Sequence, residues 1–145
     1  IVVNRNNQIL VENDQYVQVT DIKRLAVAFI DNGGGLSAAK DGNPGVPCDY
    51  CEGAKSPISS DHPSKAIISL QSDRGTTYGM YISIQNEIEG AYTELRNRLG
   101  MSKYRRSYDD LLKDYKDNPS ENINEKIEFL KEAYPQIISE PEPIK

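Results

Sequence analysis

The first eleven residues place two apolar runs either side of a polar insert. Ile1, Val2, Val3 and Asn4 lead into Arg5–Gln8, and Ile9, Leu10 and Val11 follow. β-Branched and aliphatic residues around an Asn-rich turn predict a β-hairpin. The period then changes. Ile22, Leu25, Ala26, Phe29 and Ile30 fall at i, i+3, i+4, i+7 and i+8, which is one face of a helix over 20–32. Thr20 or Asp21 can cap its start, and Asn32 followed by Gly33 supplies its stop. Neither period survives between 33 and 63. Six of the ten glycines and four of the eight prolines lie there, so this stretch reads as a long loop or insertion, a kind that is usually functional or mobile.

Residues 65–71 predict a third strand, placed centrally, and residues 72–77 a turn. The longest helix is expected from near Thr77 to a C-cap at Gly100, with Tyr81, Ile84, Ile88, Ala91, Tyr92, Leu95 and Leu99 on its apolar face. Ser107 with Asp110 suggests a capping arrangement before Leu111 and Leu112. Asn118 and Ser120 can cap a further helix with Pro119 at its start and Ile123, Ile127, Leu130 and Tyr134 along one face. Pro135 ends it. Gln136–Ser139 reads as a final short strand before a proline-broken acidic tail. The order β–β–α–loop–β–α–α–α–β predicts an α+β fold: two layers, a small mixed β-sheet with helices packed on one face. We expect residues 1–145 to form a single domain carrying insertions at 33–63 and about 101–134.

Charge and composition narrow the function. Seventeen basic against 22 acidic residues give a net charge of −5, which argues against a nucleic-acid binder working through a basic face. The sequence has one His, two Cys and no Trp, too little material for imidazole acid–base pairs, triads or His-rich metal sites. His62, between Asp61 and Pro63, reads as a solvated loop residue. No phosphate-binding glycine loop is present. This inventory favours a binding or mechanical module over an enzyme, with no catalytic residue, metal or cofactor expected. The start at Ile1, already inside a β-like run, leads us to expect an excised fragment.

Three features resemble the periplasmic domain of the ExbD/TolR family of biopolymer transport proteins. The first is the opening hairpin, with its Ile9-Leu10-Val11 strand. The second is Ala66-Ile67-Ile68-Ser69-Leu70-Gln71-Ser72-Asp73, a hydrophobic strand closing on an Asp, with Tyr78 five residues later at the start of the long helix. The third is the closing strand Gln136-Ile137-Ile138. The two insertions, together with the Asp73–Tyr78 and Tyr92–Leu99 stretches, are similar to a longer ExbD-like branch. The resemblance implies a transmembrane helix upstream of Ile1 whose membrane-embedded Asp carries the proton, and a location on the periplasmic face of the Gram-negative inner membrane. It also implies a homodimer inside an ExbB-like pentameric channel, and coupling of proton motive force to a TonB-like energy transducer for outer-membrane import. The alternatives are a TolR-like stator role binding peptidoglycan and, from another class, a thiol-redox protein using Cys48 and Cys51.

Candidate contact residues for the dimer or transducer are Gln136, Ile137, Ile138 and Ser139, on an edge strand open to strand addition. Asp73, Arg74 and Tyr78, on the turn before the long helix, are a second group. The Asp73 turn also reads as plain turn chemistry, and Tyr78 and Tyr81 as sheet-packing aromatics. Cys48 and Cys51, a C-x-x-C in the Gly/Pro loop, read as a local disulfide in an oxidising periplasm. Free thiols and redox or metal chemistry are the alternatives. Lys103, Arg105 and Arg106 around Tyr104 read as cations at a helix C-terminus or as a contact for anionic polymer or headgroups.

Overall fold

The structure, a computed structural model, describes residues 1–12 and 15–143. It is α+β. In chain order the elements are β1 (Val2–Val3), β2 (Ile9–Val11), β3 (Gln15–Val17), α1 (Val19–Ile30), β4 (Ile68–Ser69), β5 (Gln71–Ser72), α2 (Tyr78–Tyr104), α3 (Tyr108–Asp117), α4 (Glu121–Ala133) and β6 (Ile138–Ser139). They fall into two compact units. The first comprises Ile1–Ala26, Ile67–Ala91 and Ile137–Lys145, and the second Val27–Ala66 and Tyr92–Gln136.

The first unit is built on short strands. β1 and β2 form the expected hairpin, with Val2 opposite Leu10 and Val3 opposite Ile9. Asn4 makes the turn: its Oδ1 accepts the N–H groups of Asn6 and Gln8, and Asn7 takes the left-handed conformation that Asn tolerates. β3 adds to β2 antiparallel. The reading of the sequence has no strand there, because Gln15-Tyr16-Val17 is too short to show a period. On the other side of β1 lies the segment 68–72, paired over those residues rather than 65–71. Its alternate amides bond to opposite neighbours. Gln71 and Asp73 N–H donate to Ile1 and Val3 carbonyls, and Ile68 and Leu70 N–H donate to Ile137 and Ser139 carbonyls. It thus joins the β3-β2-β1-β5 sheet to the β4-β6 pair, and both of its own pairings are parallel. Val3, Ile9, Ile68 and Leu70 are buried, whereas Ser69 is exposed and Val2, Leu10 and Gln71 are half-buried. One face of the sheet is therefore core. Ile22, Ala26, Ile84, Ile88 and Ala91, from the helical segments of this unit, are buried with it.

The second unit is helical apart from its loop. Tyr108, Leu111, Ile127 and Leu130 form a buried cluster with Leu99, Tyr104, Ile123 and Phe129 packed against it. Ser107 caps α3 by accepting the Asp110 N–H, as expected, and Ser120 caps α4 by accepting the Ile123 N–H. Pro119 stands before that cap rather than inside the helix, and Asn118 closes α3. Two other boundaries also differ from the sequence reading. α1 starts at Val19, where Asp21 reaches back to accept the Gln18 N–H. α2 runs through Gly100 to Tyr104 and stops where Arg105 turns left-handed. Gly100 is needed for close approach, since a Cβ there would lie 2.5 Å from the Arg106 carbonyl oxygen. Residues 33–63 form no named strand or helix and hold only two isolated bridges, Leu36 with Pro47 and Lys40 with Asn43.

Candidate functional site

In the first unit the strand β6 lies at the outer edge of the β4-β6 pair. Ile137 and Ser139 turn their carbonyls inward to the Ile68 and Leu70 amides. Ile138, one residue out of phase, directs its amide and carbonyl away from β4. Pro135 and Pro141 share the phase of Ile137 and Ser139, and neither has an N–H to give. The inward ladder therefore gains no further donor from either proline. Beyond it, Glu140 receives a hydrogen bond from Gln85 Nε2, and the Glu142 carbonyl receives one at 3.4 Å from Gln71 Nε2. Tyr81 also meets Glu140; burial first, then this carboxylate, raises its phenol pKa. Gln136 is the last residue of the second unit.

The Asp73 turn is occupied with its own backbone. Asp73 Oδ1 accepts the Gly75 N–H at 2.8 Å, and the Asp73 N–H reaches both Thr76 Oγ1 and the Val3 carbonyl at 3.0 Å. Thr76 Oγ1 donates to the Val3 or Asn4 carbonyl, and Thr77 Oγ1 caps α2 by accepting the Met80 N–H. Arg74 is exposed. Tyr78 is 79% exposed, which corrects its reading as a packing aromatic: at the first position of α2 its side chain points away from the core.

The second unit contains a buried polar centre that the sequence does not announce. Asp31, just past α1, is 3% exposed. Its carboxylate accepts the Tyr134 hydroxyl at 2.6 Å, Arg98 Nη2 at 2.7 Å and the Glu52 N–H at 3.0 Å. Arg98 also donates to the Tyr134 hydroxyl at 3.0 Å and pairs with the Glu52 carboxylate. Burial works against the Arg98 charge, but the hydrogen bond and charge of Asp31 outweigh it and hold the guanidinium above its usual pKa. Burial, then Asp31, pushes the Tyr134 phenol far up. The end of α4 is closed by side chains: Arg96 donates to the Tyr134 carbonyl at 2.8 and 3.1 Å, and the Tyr50 hydroxyl donates to the Ala133 carbonyl at 2.7 Å. Burial, followed by Asp49 and Asp31, raises the Tyr50 phenol to about 12. A lone Asp after a helix, an arginine 67 residues on and a tyrosine 103 residues on carry no local pattern, so only the three-dimensional fold brings them together.

Cys48 and Cys51 are joined as a disulfide and both are buried. His62 is 7% exposed, which corrects its reading as a solvated residue. Its Nδ1 accepts the Ser64 N–H at 3.1 Å, and its ring meets Tyr50 edge-on at 5.9 Å. Burial, then the nearby Lys65 charge, lowers its pKa. Among the cations around the end of the long helix, Arg106 is committed to Asp110 and Asp114, and Lys103, in the last turn of α2, lies 3.8 Å from the Phe129 ring centroid. Among the described residues no group of three or more His, Cys, Asp or Glu is placed to hold a metal, and no helix is long and apolar enough to cross a membrane. No family model, curated protein or solved structure matches the chain.

Proposed function

We propose that this chain is the periplasmic domain of an ExbD-like component of an inner-membrane proton-driven motor, and that it passes the motor's movement to a TonB-like transducer for outer-membrane import. On this reading the full protein is a homodimer anchored by a helix upstream of Ile1 within an ExbB-like pentamer, and it is not an enzyme. The observation that carries the proposal is β6: a two-residue strand, parallel to its neighbour, fenced by two prolines, with Ile138 presenting its backbone outward. Such an edge can accept an added strand from a second subunit or from an extended peptide. The Asp73 turn supports the reading less, since its polar atoms are already committed.

Proline substitutions in full-length protein test it by envelope crosslinking. Ile138→Pro removes an outward N–H while leaving the inward bonds of Ile137 and Ser139. Ile137→Pro attacks the inward ladder instead. Ile138→Pro should abolish dimer or transducer crosslinks with circular dichroism unchanged. Crosslinks that persist in that variant refute edge pairing. A gene encoding no apolar helix before Ile1 refutes the motor. Retention of the wild-type domain by purified cell wall, but not by a proline-rich periplasmic peptide, would favour the peptidoglycan-binding alternative.

A further inference from the structure

The loop of the second unit is fastened to two consecutive residues past the end of α1. Gly53 N–H donates to the Asp31 carbonyl at 3.0 Å and Lys55 N–H to the Asn32 carbonyl at 2.9 Å. The Asn32 side chain accepts the Ser56 N–H at 3.0 Å and donates to the Ser56 and Ser60 carbonyls at 3.0 and 2.6 Å. Glu52 N–H reaches the Asp31 carboxylate. The Cys48–Cys51 ring stands immediately before this series. Cys51 packs so closely on Gly33 that a Cβ at residue 33 would lie 2.9 Å from the Cys51 Cβ. Inside the ring, Tyr50 sends its hydroxyl to the Ala133 carbonyl at the end of α4. Next to the ring, Glu52 reaches Asp31 and Arg98. The four-residue ring therefore restrains the backbone that carries two anchors, one on α4 and one on the Asp31 centre. No helix or named strand in the loop would restrain it otherwise.

We propose that the Cys48–Cys51 disulfide is a redox-sensitive latch on this loop, opened by a dithiol reductant. A thiolate of the dithiol attacks one Sγ, the Cys48–Cys51 bond breaks, and a mixed disulfide forms. The second thiol of the reductant then resolves it. Two electrons and two protons pass to the cysteines, which leave as two thiols, and the reductant leaves as its disulfide. With the ring open, the backbone of residues 48–51 gains freedom in the detached state, and residues 52–56 separate from Asp31 and Asn32 more often. The helices keep their own cores and stay folded. The loop-entropy relation applied to a ring of four residues gives a rise in the opening equilibrium of about twenty-fold. Because both cysteines are buried, the reductant must wait for the loop to open, so reduction is slow in the intact protein.

Amide hydrogen exchange on the 145-residue chain, oxidised and after dithiothreitol, tests this. Protection at Glu52, Gly53, Lys55 and Ser56 should fall about twenty-fold on reduction, while Leu111 in α3 and Leu130 in α4 keep theirs. A Cys48→Ser/Cys51→Ser chain should show the reduced pattern without reductant. Unchanged loop protection in either reduced or double-Ser protein overturns the latch. Equal loss in α3 and α4 also overturns it, since the ring would then support the whole unit. So does a purified, never-reduced chain in which both thiols titrate as free.

Discussion

Replacing Asp31 by Ala should be among the most damaging single changes in the second unit, and its cost can be worked from the contacts. Three donors converge on one carboxylate: the Tyr134 hydroxyl, Arg98 Nη2 and the Glu52 N–H. Hydrogen bonds to a charged group contribute about 1.5–3 kcal/mol each, so a simple sum would be about 5–9 kcal/mol. That sum overstates the loss. The Arg98 side chain is 36% exposed and keeps Glu52 as a partner, so solvent screens its share. The Tyr134 hydroxyl is different, because Tyr134 is fully buried and would keep only Arg98. Leaving that buried hydroxyl without its acceptor costs about 1–3 kcal/mol, and with the loss of the Glu52 N–H bond and the screened Arg98 contact we expect about 3–5 kcal/mol in all. Against a total stability of about 5–15 kcal/mol it is a large fraction, and it corresponds to a fall in melting temperature of about 10–15 °C. Urea unfolding followed by circular dichroism measures it. Tyr134→Phe removes one donor and should cost about 1–2 kcal/mol. The double variant should cost less than the sum, because both changes break the same contact. A loss under about 1 kcal/mol for Asp31→Ala, or strict additivity with Tyr134→Phe, would show that the centre does not act as a unit.

Two glycines of α2 should respond to Ala with opposite signs. At Gly79 a Cβ meets nothing within 4 Å, so the helical preference of Ala should stabilise by about 0.5–1 kcal/mol. At Gly100 the 2.5 Å approach to the Arg106 carbonyl and the 3.2 Å approach to Leu130 should outweigh that preference and destabilise by about 1–2 kcal/mol; urea midpoints moving the same way would contradict both contacts. His62 supplies a pH dependence. Its lowered pKa means that the folded state favours the neutral ring, so its contribution is complete above the unfolded value of about 6.5 and is lost as pH falls through the lower folded value. Stability measured between pH 7.5 and 5 should decline less in His62→Gln than in the wild-type chain, and parallel curves would rule this out.

Elements whose information is local were legible in the sequence. The hairpin follows from β-branched runs around Asn4–Gln8, and the caps of α3 and α4 follow from Ser107 and Ser120, whose side chains act within three residues. The α+β class follows from the order of these elements. Two kinds of information were not local. β3 has three residues and gains its place only by pairing with β2. Gly100 looks like a helix stop because the conformational freedom of glycine is visible in a sequence, whereas the carbonyl that crowds it is not. The same reason hid the Asp31 centre and misplaced His62. Whether a polar side chain is buried depends on partners that lie far away along the chain, as Tyr134 does from Asp31. The edge strand was legible as a strand, but the side on which each amide falls emerged only from the ladder.

The segments of the first unit are dispersed: the second unit's residues lie between them in the chain. Ile68 pairs with Ile138, 70 positions later (138 − 68 = 70), and Val2 with Gln71, 69 later (71 − 2 = 69). On a ribosome making about 5–20 residues per second, the hairpin β1–β2 is finished several seconds before its parallel neighbour emerges, and β6 arrives last of all. Both closures join distant points, which slows folding compared with local pairing. Gln136, the last residue of the second unit, precedes β6 by only two positions (138 − 136 = 2), so the two units are completed almost together. The order of manufacture thus leaves the β4 edge as the final site to be filled, for a time set by the rate of chain elongation.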